Sequence, residues 1–286
     1  MEHATKIIGF FISIAILGIV CFIDDCKGIR AIYKLIAQLL AAVIVTGCGI
    51  NIVNLDSPVV NSMIQAHPWI SYILTVVWIV GITNAINLID GLDGLSSGIS
   101  LISCISLLIV FSINGSPLLS IILITALAGA ITGFLPYNFN PAKTFIGDTG
   151  SNFLGFSLAV ISILGVAKTY TAIVIVAPII VLGLPIFDTI FAIIRRVYKN
   201  KSLKAVFMPD KGHLHHRLMA KGYSQKESVF ILYGLTAILG VFAIILLESG
   251  IWKAISFAFM VIAIIAIGYK DIVKNKNGKC EIKKEN

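Results

Sequence analysis

Charged residues are scarce in this chain of 286 residues: 13% are Asp, Glu, Lys or Arg, while 58% are hydrophobic. A soluble domain usually has about 25% charged residues, so this composition excludes an ordinary soluble fold. The apolar residues come in runs of about 17 to 24, which as helices cross a hydrocarbon core of roughly 30 Å. Lipid offers the backbone no hydrogen bonds, so the sequence predicts an all-α polytopic membrane protein.

Cysteine is also scarce, and its spacing shows no pairing. The five cysteines are an odd number, and no two have the spacing typical of a disulfide framework or a zinc motif. The chain shows no internal repeat and no separate soluble domain. It is therefore divided into one membrane domain over residues 1–274 and a Lys-, Asn- and Glu-rich tail over 275–286, which is predicted to be a disordered cytoplasmic tail.

The hydrophobic runs predict nine transmembrane helices. The first run leads directly into two acidic residues and has no cleavage-site pattern, so it is interpreted as a retained span and not as a signal peptide. The predicted spans are Ile7–Ile23, Leu35–Val53, Trp69–Ile89, Gly98–Ile113, Leu118–Leu135, Ser151–Val166, Thr171–Ile194, Val229–Leu247 and Ile251–Gly268.

The distribution of Lys and Arg predicts the orientation. If the N-terminus lies outside, 19 of the 22 basic residues fall in inner segments, and cytoplasmic segments of membrane proteins carry such an excess. The C-terminus is then cytoplasmic. The net charge of +8 is explained by topology and by attraction to anionic membrane lipids, and it does not indicate nucleic-acid binding.

Six of the nine Asp fall at the inner ends of predicted spans. Any one of them alone is explained as a helix cap or a turn residue. As a group of like charges they require a cation, and oxygen ligands next to a phosphate substrate suit Mg²⁺, with Mn²⁺ as an alternative. These residues are Asp24, Asp25, Asp90, Asp93, Asp148 and Asp188.

Two glycine-containing segments are more specific. In Asn87–Gly94, Asn87, Asp90 and Asp93 recur every three residues, so on a helix or tight turn they share a face. In the second segment, Gly147–Ser151 opens a helix, whose free N–H groups and dipole favour a phosphate. For Asn87–Gly94, a glycine-rich turn that caps two helices is the alternative interpretation.

Three of the five histidines lie within four residues of the basic inner loop. If this segment is helical, His213, His216 and Arg217 share a face and His215 points elsewhere. A zinc site is an alternative, but no cysteine is near and the spacing is unusual for zinc. A phosphate-binding cluster fits better, because Arg and His donate hydrogen bonds to phosphate oxygens. A merely solvated basic loop stays open.

Together the four motifs resemble the polyprenyl-phosphate N-acetylhexosamine-1-phosphate transferases. The matching elements are Asp24-Asp25 with Gly28, the Asn87–Gly94 run, the Phe145–Ser151 run and His213–Arg217, in the family's order. The resemblance covers roughly Ile16 to Val229. The form of the histidine motif resembles the branch that uses UDP-N-acetylglucosamine and undecaprenyl phosphate, rather than the related branch that transfers phospho-N-acetylmuramoyl-pentapeptide.

The resemblance implies that the chain transfers N-acetylhexosamine-1-phosphate from a UDP-sugar to undecaprenyl phosphate, which releases UMP and starts cell-wall or surface polysaccharide synthesis. It implies Asp148 as the Mg²⁺ ligand, Asp24 and Asp25 at the lipid phosphate, and the histidines with Arg217 at the sugar diphosphate. Around the nucleotide it implies Asn87, Asp90, Asp93, Asn138 and Phe145. The active site is expected on the cytoplasmic face of the bacterial plasma membrane, and a homodimer is left open.

Two other classes of function stay open. One is an ion-coupled transporter, although such proteins hold acidic residues near the membrane midplane and not at one face. The other is a non-catalytic homologue. Family members usually begin with one or two further spans and a basic segment that contacts the nucleotide sugar. We therefore expect this chain to fold but to be weakly active or inactive unless an upstream segment is restored.

Overall fold

The computed structural model describes residues 2–52, 67–166, 172–201 and 212–282, and in these ranges it has helices and no strands. The helices are α1 (Glu2–Lys27), α2 (Ala31–Gly47), α3 (Trp69–Ile89), α4 (Leu95–Ile113), α5 (Leu118–Asn138), α6 (Gly147–Val166), α7 (Ala172–Val181), α8 (Gly183–Asn200), α9 (Leu214–Ala220) and α10 (Gln225–Ile282).

Six of these helices are long and apolar enough to cross a membrane, and α2 is a shorter apolar helix. The polytopic all-α class is therefore confirmed, while the number of nine spans and the sides of the two termini stay predictions. The six segments are Ala4–Lys27, Trp69–Ile89, Leu95–Ile113, Leu118–Asn138, Gly147–Val166 and Gln225–Lys253.

The predicted seventh span is not one continuous helix. Helix α7 ends at Val181 and α8 begins at Gly183, and Leu182 between them has a non-helical ψ of 12°. Pro185 explains the break, because proline has no N–H to donate to the carbonyl of Val181 four residues earlier. Glycine at position 183 adds to it, since glycine is a poor helix former.

Helix α10 is interrupted at Gly250, whose φ of 78° and ψ of 177° are non-helical. A positive φ strongly favours glycine, which explains why the kink falls at this residue. The kink coincides with the boundary between the predicted eighth and ninth spans. The helix is described as far as Ile282, so the first part of the tail that composition predicts to be disordered is helical here. The division into a membrane domain and a tail stays a prediction.

Helix α6 lies at the centre of the bundle and packs against α1, α3, α4 and α5. Almost every side chain from Ser151 to Gly165 is buried. A Cβ at Gly155 would lie 2.7 Å from the Cα of Thr83, so α3 and α6 touch through their backbones, as small residues allow in membrane helices. This packing brings the N-terminus of α6 beside the C-terminal ends of α1 and α3.

Candidate functional site at the helix ends

The carboxylate of Asp25, in the last turn of α1, caps the first turn of α6. Its Oδ1 accepts the N–H of Asp148 at 2.8 Å, and its Oδ2 accepts the N–H of Thr149 at 3.0 Å and the Thr149 hydroxyl at 2.6 Å. Gly147, with φ of 64°, lies so close that a Cβ would be 2.9 Å from Asp25 Oδ2. The prediction that these N–H groups are free for a phosphate is therefore wrong for the two that Asp25 occupies.

Asp148 is the centre of a second set of contacts. Its Oδ2 is 2.6 Å from the ammonium of Lys34, which also lies 2.7 Å from Asp24 Oδ2. Its Oδ1 accepts from Asn87 Nδ2 at 2.6 Å, and the same amide nitrogen is 2.9 Å from Ser151 Oγ. We call Asp24, Asp25, Lys34, Asn87 and Asp148 the acid cluster.

Asp24 is 9% exposed, and the backbone N–H of Ile29 donates to its Oδ1 at 2.6 Å. Two negative charges at the C-terminal end of a helix are disfavoured by the helix dipole. Here Lys34 compensates Asp24, and the positive end of α6 compensates Asp25. The sequence interpretation used Lys34 only for orientation, so it missed this residue. Its position one turn into α2, close after the acidic pair, is the signal that could have found it.

The donor set of the acid cluster fits a divalent cation. Among the described residues, no three His, Cys, Asp or Glu side chains form a group that could hold a metal ion. Mg²⁺ does not need one, because it usually takes one or two carboxylates and completes its shell with water and phosphate oxygens. Asp24 and Asp148 are the two carboxylates that would hold such an ion, since both already face one cationic position at the Lys34 ammonium.

Asn87, Asp90 and Asp93 do not share a face, so that prediction is wrong. Helix α3 ends at Ile89, which leaves Asn87 in the helix, Asp90 at the cap with ψ of 68° and Asp93 beyond the turn. Asp93 points to a different segment: its Oδ2 accepts from Asn140 Nδ2 at 3.0 Å and from the N–H of Ala142 at 3.1 Å. Asp93 therefore anchors the segment between α5 and α6.

Asn138 anchors the same segment from its other side. It is buried, its Oδ1 accepts from the Ser97 hydroxyl at 2.6 Å, and its Nδ2 donates to the carbonyl of Thr144 at 2.9 Å. Phe145 follows directly and is 75% exposed. It lines an apolar cavity of about 240 Å³ between α5 and α6. Asp93 and Asn138 thus hold a short segment that carries an exposed aromatic ring three residues before Asp148.

Asp90 is half-buried next to the acid cluster. Burial, together with the negative charges of Asp148 and Asp25, raises the pKa of its carboxyl to about 7. Near neutral pH this group is therefore divided between its neutral and charged forms.

The histidine segment is arranged differently from the prediction. His213 precedes α9 with an extended backbone, and both His213 and His215 are buried with their rings stacked at 6.0 Å. His216 and Arg217 are exposed. The prediction that His213 shares a face with His216 and Arg217 is therefore wrong, because His213 lies outside the helix and turns inward to α8.

Asp188 of α8 holds the start of α9. Its Oδ2 is 2.8 Å from His213 Nδ1, and its Oδ1 accepts the N–H of Leu214 at 2.9 Å. Arg195 of the same helix donates to the carbonyl of Gly212 at 2.6 Å. The sequence analysis grouped Asp188 with the other acidic residues at inner helix ends. In the structure Asp188 instead contacts the start of α9.

His215 links the histidine segment to the Asn87–Gly94 segment. A Cβ at Gly91 would lie 2.2 Å from His215 Nε2, so only glycine leaves room for the imidazole there. Neither ring nitrogen has a hydrogen-bond partner among the described residues. Burial lowers the pKa of His215 to about 4, helped by the charges of His216 and His213. His215 is therefore a neutral packing group near neutral pH.

Fold and site together define a polytopic α-helical membrane protein that gathers acidic, amide and basic groups at the ends of several helices. A family model described as glycosyl transferase family 4 matches residues 7–166. A protein of Bacillus subtilis (strain 168), named probable undecaprenyl-phosphate N-acetylglucosaminyl 1-phosphate transferase, is 44% identical over 260 residues, which are 91% of this chain and 70% of that protein. This chain belongs to glycosyl transferase family 4.

More distant relatives match over shorter stretches. A decaprenyl-phosphate N-acetylglucosaminephosphotransferase of Mycobacterium tuberculosis (strain ATCC 25618 / H37Rv) is 40% identical over 37% of this chain and 28% of its own length. A phospho-N-acetylmuramoyl-pentapeptide-transferase of Shouchella clausii (strain KSM-K16) is 36% identical over 45% of this chain and 36% of its own length. The chain thus spans most of the Bacillus relative and about a third of these two.

Proposed function

We propose that this chain transfers N-acetylglucosamine-1-phosphate from UDP-N-acetylglucosamine to undecaprenyl phosphate and releases UMP. The step would begin cell-wall or surface polysaccharide synthesis. The observation that carries the proposal is the acid cluster: Asp148, with both carboxylate oxygens engaged, stands at the N-terminus of α6 beside Asp24 and Lys34. The 44% identity to the Bacillus protein supports the choice of sugar and lipid.

In the proposed reaction an oxygen of the lipid phosphate attacks the phosphorus that carries the sugar. The bond from that phosphorus to the oxygen bridging it to the other phosphate breaks, and UMP leaves with the bridging oxygen and its electron pair. A phosphate monoester has its second pKa near 6 and is mostly dianionic at neutral pH, so the attack needs no general base. A covalent intermediate on a carboxylate is the open alternative.

Asp148 and Asp24 would hold Mg²⁺. The ion, when bound, would neutralise phosphate oxygens and so stabilise the charge that develops in transfer. Lys34 would then turn its ammonium to a phosphate, and Asn87 would keep the Asp148 carboxylate oriented through its 2.6 Å hydrogen bond. Asp25 is the remaining candidate for the lipid phosphate, and its three hydrogen bonds to α6 favour a positioning role instead.

Nucleotide and diphosphate would lie on either side of the acid cluster. The exposed ring of Phe145 offers a stacking surface for the base, and Asp93 and Asn138 would fix the segment that carries it. On the other side, the exposed His216 and Arg217 would bind the diphosphate. His213 and His215 would position α9. The site would face the cytoplasm, as the concentration of Lys and Arg on one side indicates.

UMP release by purified protein in detergent tests the proposal. With UDP-N-acetylglucosamine and undecaprenyl phosphate, we expect UMP release that depends on Mg²⁺ or Mn²⁺. We expect Asp148→Asn to lower it by about 100-fold or more, because loss of a metal ligand removes the main electrostatic contribution. Turnover in excess EDTA, or near-normal turnover in Asp148→Asn, would contradict the proposal.

The same preparation, reconstituted in vesicles, tests the transporter alternative. Uptake of labelled substrate without UMP release would favour a transporter, while neither uptake nor release would favour a non-catalytic homologue. The acid cluster lies at helix ends and not at the break near Leu182, which favours the transferase over a transporter.

A further inference from the structure

Beneath the acid cluster, three amide side chains form a second polar layer. Gln38 of α2 donates from Nε2 to Asn152 Oδ1 of α6 at 2.7 Å, and its Oε1 accepts from Asn84 Nδ2 of α3 at 2.6 Å. Asn152 donates in turn to the backbone carbonyl of Asp148 at 2.8 Å. Gln38 is 2% exposed and Asn152 is fully buried. We call Gln38, Asn84 and Asn152 the amide layer.

Each member of the amide layer lies one helical turn from a member of the acid cluster on the same helix. Residues three or four apart share a helix face, so α2, α3 and α6 meet once in the acid cluster and again one turn below it. The three pairs are Lys34 with Gln38, Asn87 with Asn84, and Asp148 with Asn152.

The backbone carbonyl of Asp148 fixes the direction of the hydrogen bonds between Asn152 and Gln38 and between Gln38 and Asn84. The carbonyl of Asp148 can only accept, so Asn152 must donate to it and turn its own oxygen toward Gln38. Gln38 must then donate to Asn152 and present its oxygen to Asn84. Both atoms of the Gln38 amide are therefore used, and this side chain alone joins all three helices.

We propose that the amide layer is the positioning element of the acid cluster, with Gln38 as its central residue. Lipid supplies no hydrophobic force that would fix how far one helix slides along another, so buried amides can set the register of α2, α3 and α6. In that register Lys34 and Asn87 both reach the carboxylate of Asp148. The inference rests on the proposed function for the role of Asp148 as a metal ligand.

The bundle also contains a matched bond that the proposal does not involve. Trp78, in the middle of α3, donates from Nε1 to the hydroxyl of Ser162, near the C-terminal end of α6, at 3.0 Å, and so joins two of the same helices away from the acid cluster. Ser162→Ala removes that hydroxyl with little change in volume. It is therefore the control for the loss of one interhelical hydrogen bond at a distance from the acid cluster.

The experiment compares Gln38→Met with Ser162→Ala in detergent. Met has the length of Gln without its hydrogen-bonding groups. We measure the thermal unfolding midpoint, Mn²⁺ affinity by electron paramagnetic resonance, and kcat and KM for UDP-N-acetylglucosamine. We expect both variants to fold. Only Gln38→Met should weaken Mn²⁺ binding and lower kcat, each by about 10- to 100-fold, as loss of a hydrogen bond behind a metal ligand typically does.

Mn²⁺ affinity and kcat of Gln38→Met that match those of Ser162→Ala would overturn the proposal. If Gln38→Met does not fold, Asn152→Ala decides, because it removes the contact of the amide layer with Asp148; unchanged Mn²⁺ affinity there would equally overturn it. Wild-type protein that binds Mn²⁺ but releases no UMP would contradict only the transferase function, and the affinities would still test the amide layer. Wild-type protein that binds no Mn²⁺ would overturn both.

Discussion

The carboxylate of Asp25 accepts the backbone N–H of Asp148 at 2.8 Å, so two acidic residues 123 positions apart are joined by a hydrogen bond from main chain to side chain. The bond ties the C-terminal end of α1 to the N-terminal end of α6. It fixes the backbone from which the Asp148 carboxylate projects, and it explains why an acidic pair is stable at the end of an apolar helix.

Asp25→Ala tests this contact. Loss of a helix N-cap costs about 1 kcal/mol, so we expect the unfolding midpoint in detergent to fall by a few degrees. UMP release should fall by about tenfold or more, because small displacements of groups at a reacting centre slow a reaction strongly. Thr149→Val is the graded control, since it removes only the 2.6 Å bond from the hydroxyl and leaves both N–H bonds. A Thr149→Val effect as large as that of Asp25→Ala would contradict the capping role.

Asp90 predicts a pH dependence of stability. Burial raises its pKa from 3.8 to about 7, so the native state holds the proton more tightly than the unfolded state does. Protonated Asp90 therefore contributes stability below about pH 4 that is lost progressively as the pH rises through 7. Asp90→Asn does not titrate and should be more stable than wild type at pH 8, by at most about 4 kcal/mol.

Unfolding midpoints of wild type and Asp90→Asn, measured in EDTA between pH 5 and 8, check this. The difference in favour of the variant should grow as the pH rises. A constant difference over this range would show that Asp90 has an ordinary pKa in the folded protein.

The contact between Gly91 and His215 predicts a rescue. In Gly91→Ala the new methyl group would overlap the imidazole, so α9 must shift and UMP release should fall by about 10- to 100-fold. His215→Ala removes the ring, so the double variant should recover to the activity of His215→Ala alone. Gly133→Ala, where a Cβ meets nothing within 4 Å, is the control. A double variant no more active than Gly91→Ala would count against the contact.

The distribution of Lys and Arg predicts a cytoplasmic C-terminus. After Asn286, a reporter that works only in the cytoplasm should be active and one that works only outside should be inactive. Before Met1, we expect the reverse. The two fusions are each other's control. If both fusions are externally active, the number of spans is even and not nine.

Much of the fold could be predicted from composition, because hydropathy over twenty residues decides whether a segment can cross a membrane. The acidic residues at the ends of α1 and α3 could also be predicted, because they directly follow apolar runs in the sequence. The break near Leu182 was harder to predict, since Pro178 and Pro185 both lie in the same apolar run and only Pro185 coincides with the break. Pro178 lies inside α7 and Pro185 in the first turn of α8, so the presence of a proline does not by itself predict where the helix breaks.

The site was harder to predict, because its residues meet only through helix packing. Lys34 reaches Asp148 across 114 positions, and Gln38 meets Asn152 across the same separation. No local pattern encodes that side chains of α2 reach α6. The prediction for the histidine segment was wrong for a related reason. Asp188 of α8 contacts His213 Nδ1 and accepts the N–H of Leu214, so His213 lies outside α9, whereas the sequence analysis had grouped Asp188 with the other acidic residues.

The acid cluster has a consequence for the order in which ligands can enter. Asp24, Asp25 and Asp148 carry three negative charges against the single positive charge of Lys34. Both proposed substrates are polyanions, so these carboxylates repel them, and more strongly in a region of low dielectric than in water. A divalent cation would have to arrive first or enter already bound to the diphosphate. The residues that would hold the metal ion would thus also keep phosphates out until it is there.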